Sequence, residues 1–347
     1  MVYFRKRIDK EGVEKIFAMS VALHGKDAQE KQVIIDTTVQ EKNVTYPTDG
    51  KLAIKMIHHL HRIAKDEEIQ LRRTYVKEIK GHRISLRFFR HPKKIKKARS
   101  AMKRLKTITR ILIRDISRKL DDKKVEKYQE TFDLFLKVSD QKQKDSNKIY
   151  SLHESHIYAI AKGKDHKKYE YGTKASLVTT MKSNVIIGVA AHQKNEHDSK
   201  TLEAVLESAN KHRTKPIVEA ICDRGYRGKK EVDGTVICIP DSPKKRDTKY
   251  QKEQKRKKFR RRAAIEPIIG HVKSDHRMQR NYLKGFVGDE INLLLAASAF
   301  NLKKWMNHFL LVFFMLRIVL IMHILTQIKR DQREKYADLY LMLFRLW

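Results

Sequence analysis

The sequence predicts an α/β protein, a mixed sheet flanked by helices with a basic helical insertion after the first strand. Three observations predict it. A β-branched run at Lys31 to Thr38 (KQVIIDTT) precedes a long stretch, residues 51–142, whose apolar residues recur at helical spacing. From Lys148 the period shortens to that of strands in HIYAIAKG, ASLVTT and NVIIGVAA. A helix, another strand and further helices then follow, an alternation that suits a sheet covered by helices.

Taken in order, residues 1–30 are expected to be helical and polar, with Val13, Ile16, Phe17 and Val21 as a modest apolar face. In KQVIIDTT, three β-branched residues run directly into Asp36, which places a carboxylate at the C-terminal end of a buried strand. On that stretch alone a turn-forming Asp capped by Thr37 and Thr38 is the favoured reading. Asp49 or its neighbour is expected to cap the next helix, whose apolar face is Leu52, Ile54, Met56, Ile57, Leu60 and Ile63. Pro92 interrupts the helical block, and HPKKIKKARSAMKRLK within it carries dense Lys and Arg without a catalytic candidate. Such runs are usually solvated faces, but the charge of the whole chain favours a DNA-contacting arm.

The strands after Lys148 are expected to form an antiparallel meander, followed by a helix capped by Asp198 or Ser199 with Leu202, Val205, Leu206 and Ala209 facing the core. IVEAICD, residues 217–223, repeats the pattern of the first strand: apolar residues ending in a carboxylate, Asp223, and then the loop RGYRG. VICIP is one more strand. Ser242 to Arg261 reads as a basic linker without apolar periodicity, and Ile291 to Trp305 as a helix closing the core.

Between these lies FRRRAAIEPIIGHVK, residues 259–273. On a helix Arg262, Glu266, Gly270 and Lys273 share one face, and Ile265, Ile268, Ile269 and Val272 form the stripe beside it. Pro267 is tolerated best in a first turn, so the helix is expected to start near Glu266, with Phe259 to Arg262 extended before it. A carboxylate flanked by cations suits a phosphate-handling site; an ordinary charged surface helix is the plainer reading of that stretch by itself.

Composition narrows the partner. Lys and Arg number 77 against 41 Asp and Glu, a formal net charge of +36 spread along all 347 residues. That points to a polyanion, and to nucleic acid more than to a membrane surface. Two cysteines, Cys222 and Cys238, both in apolar runs, argue against a disulfide framework and for a reducing compartment; without an apolar leader at MVYFRKRIDKEG, a cytoplasmic location is expected. The apolar run FLLVFFMLRIVLIMHIL, residues 309–325, is interrupted by Arg317 and His323, and a buried or partner-facing helix is expected there in preference to a membrane span. Asp36, Asp223 and Glu266, expected on two strands and a helix, are the kind of donor set that a two-metal phosphoryl-transfer site with Mg²⁺ or Mn²⁺ requires. A zinc site at His153, His156, His192 and His197 lacks Cys pairs and is disfavoured.

Three segments, VIIDTTVQEKNVTYPTD, AICDRGYRG and RRAAIEPIIGHVKSDHR, resemble bacterial insertion-sequence transposases of the DDE type, families four and five. The likeness runs from YFRKRI to about residue 305. It implies a ribonuclease-H-like catalytic domain over residues 31–50 and 146–306, interrupted by the helical insertion 51–145, with residues 1–30 as the remnant of a DNA-binding region and 307–347 as an apolar extension. The implied triad is Asp36, Asp223 and Glu266. The family's Tyr-Arg-Glu-Lys signature falls on Phe259, Arg262, Glu266 and Lys273, departing at Phe259, where a hydroxyl is lost. Arg262 and Lys273 would hold phosphates, with Phe259 and Arg224 as further DNA contacts. The resemblance implies double-stranded DNA substrates (element ends and target), Mg²⁺-dependent cleavage followed by strand transfer, and a homodimer on the DNA. The late start predicts a truncated frame; an inactive DNA-binding relic, or a nuclease without strand transfer, are the alternatives.

Overall fold

The computed structural model describes residues 2–142, 145–161, 168–241, 244 and 246–344. It is built on an eight-stranded mixed sheet. The first helix, α1 (Val2–Ala22), leads into β1 (Gln32–Lys42). The basic block forms four helices, α2 (Asp49–Asp66), α3 (Val76–Ser85), α4 (Ile95–Lys119) and α5 (Asp122–Asp140). The expected meander follows as β2 (Tyr158–Ala161), β3 (Tyr169–Thr180) and β4 (Ile186–His192). After it come α6 (Leu202–Lys211), β5 (Glu219–Ile221), β6 (Glu231–Val232), β7 (Thr235–Cys238), α7 (Lys249–Arg262), α8 (Ile265–Ser274), β8 (Arg280–Asn281) and the long α9 (Gly285–Phe344).

β1 is the centre of the sheet. One of its edges pairs antiparallel with β3 over nearly its whole length, Val33 opposite Thr180 through Glu41 opposite Gly172. Among the described residues its other edge is paired at the two ends alone, parallel to β5 over Gln32–Ile34 and parallel to β8 over Glu41–Lys42. Asp36 is therefore mid-strand and not, as its sequence suggests, at a strand end. It does lie just past the end of β5, so one edge of β1 beside it is free of ladder hydrogen bonds. The hydrophobic run explains the length: Val33, Ile34, Ile35 and Val39 are all fully buried, and β-branched side chains fit a pleated surface covered on both faces.

Two hydrophobic cores result. One joins the sheet to α1, α6, α8 and the first part of α9, through Phe17, Leu177, Ile187, Leu206, Val272 and Leu293. The other lies inside the helical block, through Leu60, Leu105, Leu112, Ile116 and Phe135. α2 starts at the Thr48 side chain, which accepts from the Lys51 amide, so the cap is Asp49's neighbour. α6 buries Leu202, Val205, Leu206 and Ala209 as expected, but Thr201 precedes it and Asp198 sits in a separate 3₁₀ turn.

A buried polar knot ties the far end of β1 to the start of α9. Lys42 Nζ lies 2.6 Å from Asp289 Oδ1 and 3.3 Å from Glu154 Oε2. Asp289 also accepts from Asn281 at 2.5 Å and faces His156 Nε2 at 3.0 Å. Buried charges are tolerated when paired and hydrogen-bonded in this way.

Two expectations are corrected by the helices near the C-terminal half. The supposed linker is helical over Lys249–Arg262, closed by a capping box between Thr248 and Gln251, although none of its residues is buried. Phe259 to Arg262 are its last turn and not an extended approach. Of the two alternatives for the apolar run beyond residue 308, buried or partner-facing, the buried one is overturned: from Phe309 to Met322 its large apolar side chains are exposed. One described helix, over Gly285–His323, is long and apolar enough to cross a membrane.

Candidate active site

Three local structures place the three carboxylates. Asp36 is held on β1, its Oδ1 accepting from the following Thr37 amide at 2.7 Å, with 17% of its side chain exposed. The parallel register sets Ile34 beside Ile221, so two residues further along each chain Asp223, just past the end of β5, comes level with Asp36 inside β1. Asp223 caps the 3₁₀ turn Arg224–Tyr226 by accepting from the Gly225 amide at 2.8 Å. Glu266 projects from the first turn of α8, where its charge meets the positive end of the helix dipole, and is 63% exposed.

Arg262 joins the separate parts. Its guanidinium lies 3.8 Å from Asp36 Oδ2 and 3.4 Å from Glu266 Oε1. The i, i+4 spacing read from sequence is therefore real, but it spans the junction between α7 and α8 and not a single helix. The neighbouring Arg261 anchors that junction on the β3–β4 turn, donating to the Met181 and Lys182 carbonyls at 2.8 Å and to Asn184 Oδ1 at 3.0 Å. Lys273, on the last turn of α8, is half-buried, Phe259 is half-buried on α7, and Arg224 is exposed on the turn after Asp223.

A fourth carboxylate enters the same corner. Asp198 Oδ1 accepts from Thr37 Oγ1 at 3.1 Å and from Lys174 Nζ at 2.9 Å. A Cβ on Gly225 would stand 2.9 Å from Asp223 Oδ1 and 3.0 Å from Asp198 Oδ2. Sequence reasoning assigned Asp198 to a helix cap because Thr37 and Lys174 are distant in the chain; no local pattern reveals such a contact. Beneath these acids Tyr226 is fully buried. Among the described residues its hydroxyl makes no hydrogen bond of full geometry, though it lies near the Thr37 hydroxyl. Burial, and then the charges of Cys222, Asp36 and Asp198, push its phenol well above the usual range. The buried Cys222 thiol is raised in the same way, by burial first and next by Asp223 and Asp36.

Among the described residues no three His, Cys, Asp or Glu side chains converge as a ready metal site. The donor chemistry nevertheless fits a divalent ion: the acids supply hard oxygens, and the cation now bridging two of them, Arg262, marks where positive charge is stabilised. Two of the histidines weighed for zinc are otherwise engaged. His192 shares a 2.8 Å hydrogen bond with Ser176, and burial brings it down to about 4; His156 belongs to the knot at Asp289.

Comparison with known proteins gives two matches. Residues 135–302 match the family described as Transposase DDE domain. Over 96 residues the chain is 36% identical to an uncharacterized protein, ORF8 in the nfe locus, of Rhizobium meliloti. That alignment takes in 26% of this chain and 46% of the relative, so the chain spans less than half of that protein's length. No solved structure matches. Asp223, Glu266, Arg262 and Lys273 fall within the family segment, whereas Asp36 precedes it.

Proposed function

We propose that this chain, whose residues 135–302 match the family described as Transposase DDE domain, acts on DNA and cuts and rejoins its strands at Asp36, Asp223 and Glu266. The observation that carries this reading is the Arg262 bridge from Asp36 to Glu266, together with the register that brings Asp223 level with Asp36. Asp36 and Glu266, far apart in sequence, are thereby linked through one guanidinium, and Asp223 follows the strand paired beside the start of β1.

In this reading the carboxylates hold two Mg²⁺ or Mn²⁺ ions, which when bound activate an attacking oxygen and stabilise the leaving one. The chain's own residues prepare the site. Asp36 and Asp223 are fixed by backbone amides, so little reorganisation is needed when charge is brought in. Arg262 and Lys273 grip phosphates beside the cut, and Arg224 extends the grip on the far side of Asp223. Phe259 offers an apolar contact where a hydroxyl would otherwise bond a phosphate. The helical block, with Lys and Arg along α4, serves as a DNA-contacting arm. A homodimer on paired element ends and a cytoplasmic location complete the reading.

The test is a supercoiled or end-bearing duplex incubated with the protein and Mg²⁺. Asp36→Asn, Asp223→Asn and Glu266→Gln are each expected to slow nicking by at least about 10²-fold while duplex affinity stays equal or rises, since negative charge has been removed. Unchanged nicking in all three variants would make these acids structural. Nicked product without joined product would identify a nuclease that lacks strand transfer.

A further inference from the structure

Away from the carboxylates, four tyrosines gather where the helical block meets the sheet. Tyr171 packs edge-on against Tyr46, with ring centroids 5.5 Å apart, and is tilted against Tyr150 at 5.3 Å. Tyr169 stands beside them, two residues earlier on β3 and on the same face of the strand. Tyr169 and Tyr171, with Arg90, form a wall between two clefts, one of about 620 Å³ and one of about 920 Å³. Tyr150 lines the first and Tyr46 the second.

Cations surround the rings. Arg87 and Lys148 border the first cleft, Lys168 and Arg280 the second. Lys148 is paired with Asp49 at 2.8 Å. Arg87, Arg90, Lys168 and Arg280 are exposed and form no ion pair among the described residues. Lys168 lies over the Tyr169 ring, 5.8 Å from its centroid. Tyr46 and Tyr169 are 59% and 38% exposed, so two of the four rings face solvent and serve no core.

Rings that offer a flat face, set among uncommitted cations in a recess, are what unpaired nucleotides require: bases stack and phosphates are held. The dimensions agree. Clefts of this size enclose a small ligand and not a duplex, and an acidic peptide would use the cations but have no need of the rings. We propose that this tyrosine wall binds unpaired nucleotides of a DNA strand, with bases stacked on Tyr46 and Tyr169 and phosphates held by Arg90, Lys168 and Arg280. The inference rests on the reading of the chain as a DNA-handling enzyme. It adds a second binding site, separated from the carboxylates by the length of β1 between Asp36 and Glu41.

The experiment compares three probes at one salt concentration: a short single strand, the same strand with abasic sites in place of bases, and the matched duplex. The wild-type protein is expected to prefer the base-bearing strand over the abasic one. Tyr46→Ala with Tyr169→Ala is expected to weaken the base-bearing strand by about 10-fold or more and to leave the duplex unchanged, whereas Tyr46→Phe with Tyr169→Phe retains affinity. Both positions are exposed, so the fold is not at stake. Equal binding of base-bearing and abasic strands, an unaffected Ala double variant, or equal competition by a poly-glutamate peptide would overturn the proposal. Nicking is read separately: single-strand binding without nicking keeps the wall and removes the transposase reading, and nicking without base-dependent binding does the reverse.

Discussion

At Gly225 the backbone passes so close to two acids that a single methyl would touch both, 2.9 Å from Asp223 Oδ1 and 3.0 Å from Asp198 Oδ2. Gly225→Ala must therefore move one of them. The expected result is a loss of nicking of at least about 10-fold with a stability cost of about 1–3 kcal/mol, measured by cleavage rate and thermal unfolding; a variant with native rate and Tm would show that the turn yields freely. His192 gives a pH prediction. Burial first, and Lys174 next, lower its pKa from 6.5 to about 4, so the folded protein holds it neutral while the unfolded chain takes up a proton. That contribution is complete above pH 6.5 and is lost as pH falls toward 4, on the order of 3 kcal/mol. The check is unfolding against pH, in which His192→Gln should show a shallower decline than wild type across that window.

Single residues were legible in sequence where chemistry and local pattern coincide. Asp36 and Asp223 each close an apolar strand-like run, and Arg262 and Glu266 share helical spacing, so all four could be singled out. Asp198 could not, because its bonds to Thr37 and Lys174 cross three strands of chain. The tyrosine wall was equally hidden, since Tyr46, Tyr150 and Tyr171 meet only after the helical block has folded between them.

Among the elements, α7 was missed for a physical reason. Apolar periodicity reports a buried face, and α7 has none; its helicity comes from strong helix formers and from the capping box at Thr248 and Gln251. Its position is set from outside, by Arg261 on the β3–β4 turn and by Lys258 on Glu219. α9 is the opposite case. Leu293, Leu294, Ala296, Ala297 and Asn301 are buried against the sheet, and Asn301 donates to the Ile186 carbonyl at 2.7 Å, whereas Phe309 to Met322 expose a large apolar surface. Ending the chain after Asn307 is expected to leave the unfolding temperature nearly unchanged and to reduce self-association, as read by calorimetry and light scattering. A collapse in stability would instead mean that the tail packs on the body.

For the whole molecule, charge dominates. A formal charge of +36 over a body with two separate cores makes association with DNA largely a matter of counterion release. If six or more phosphates are engaged, duplex affinity should fall by about 10³-fold or more between 50 and 200 mM salt. A titration by anisotropy at several salt concentrations gives the slope; a nearly flat response would mean that few of these cations reach the backbone. The sheet-and-helix architecture was legible from periodicity because every strand and most helices bury a face. The open edge of β1 was not, because pairing partners are settled by topology.

That edge belongs to a single unbroken strand. From Asp36 to Glu41 five residues of extended chain span about 17 Å, and the knot at Lys42, Glu154 and Asp289 stiffens the far end. A strand whose unpaired base rests on the tyrosine wall would meet the carboxylates a fixed number of nucleotides away. β1 would then act as a ruler, and the position of the cut would be set by counting along the backbone and not by reading the bases at the break.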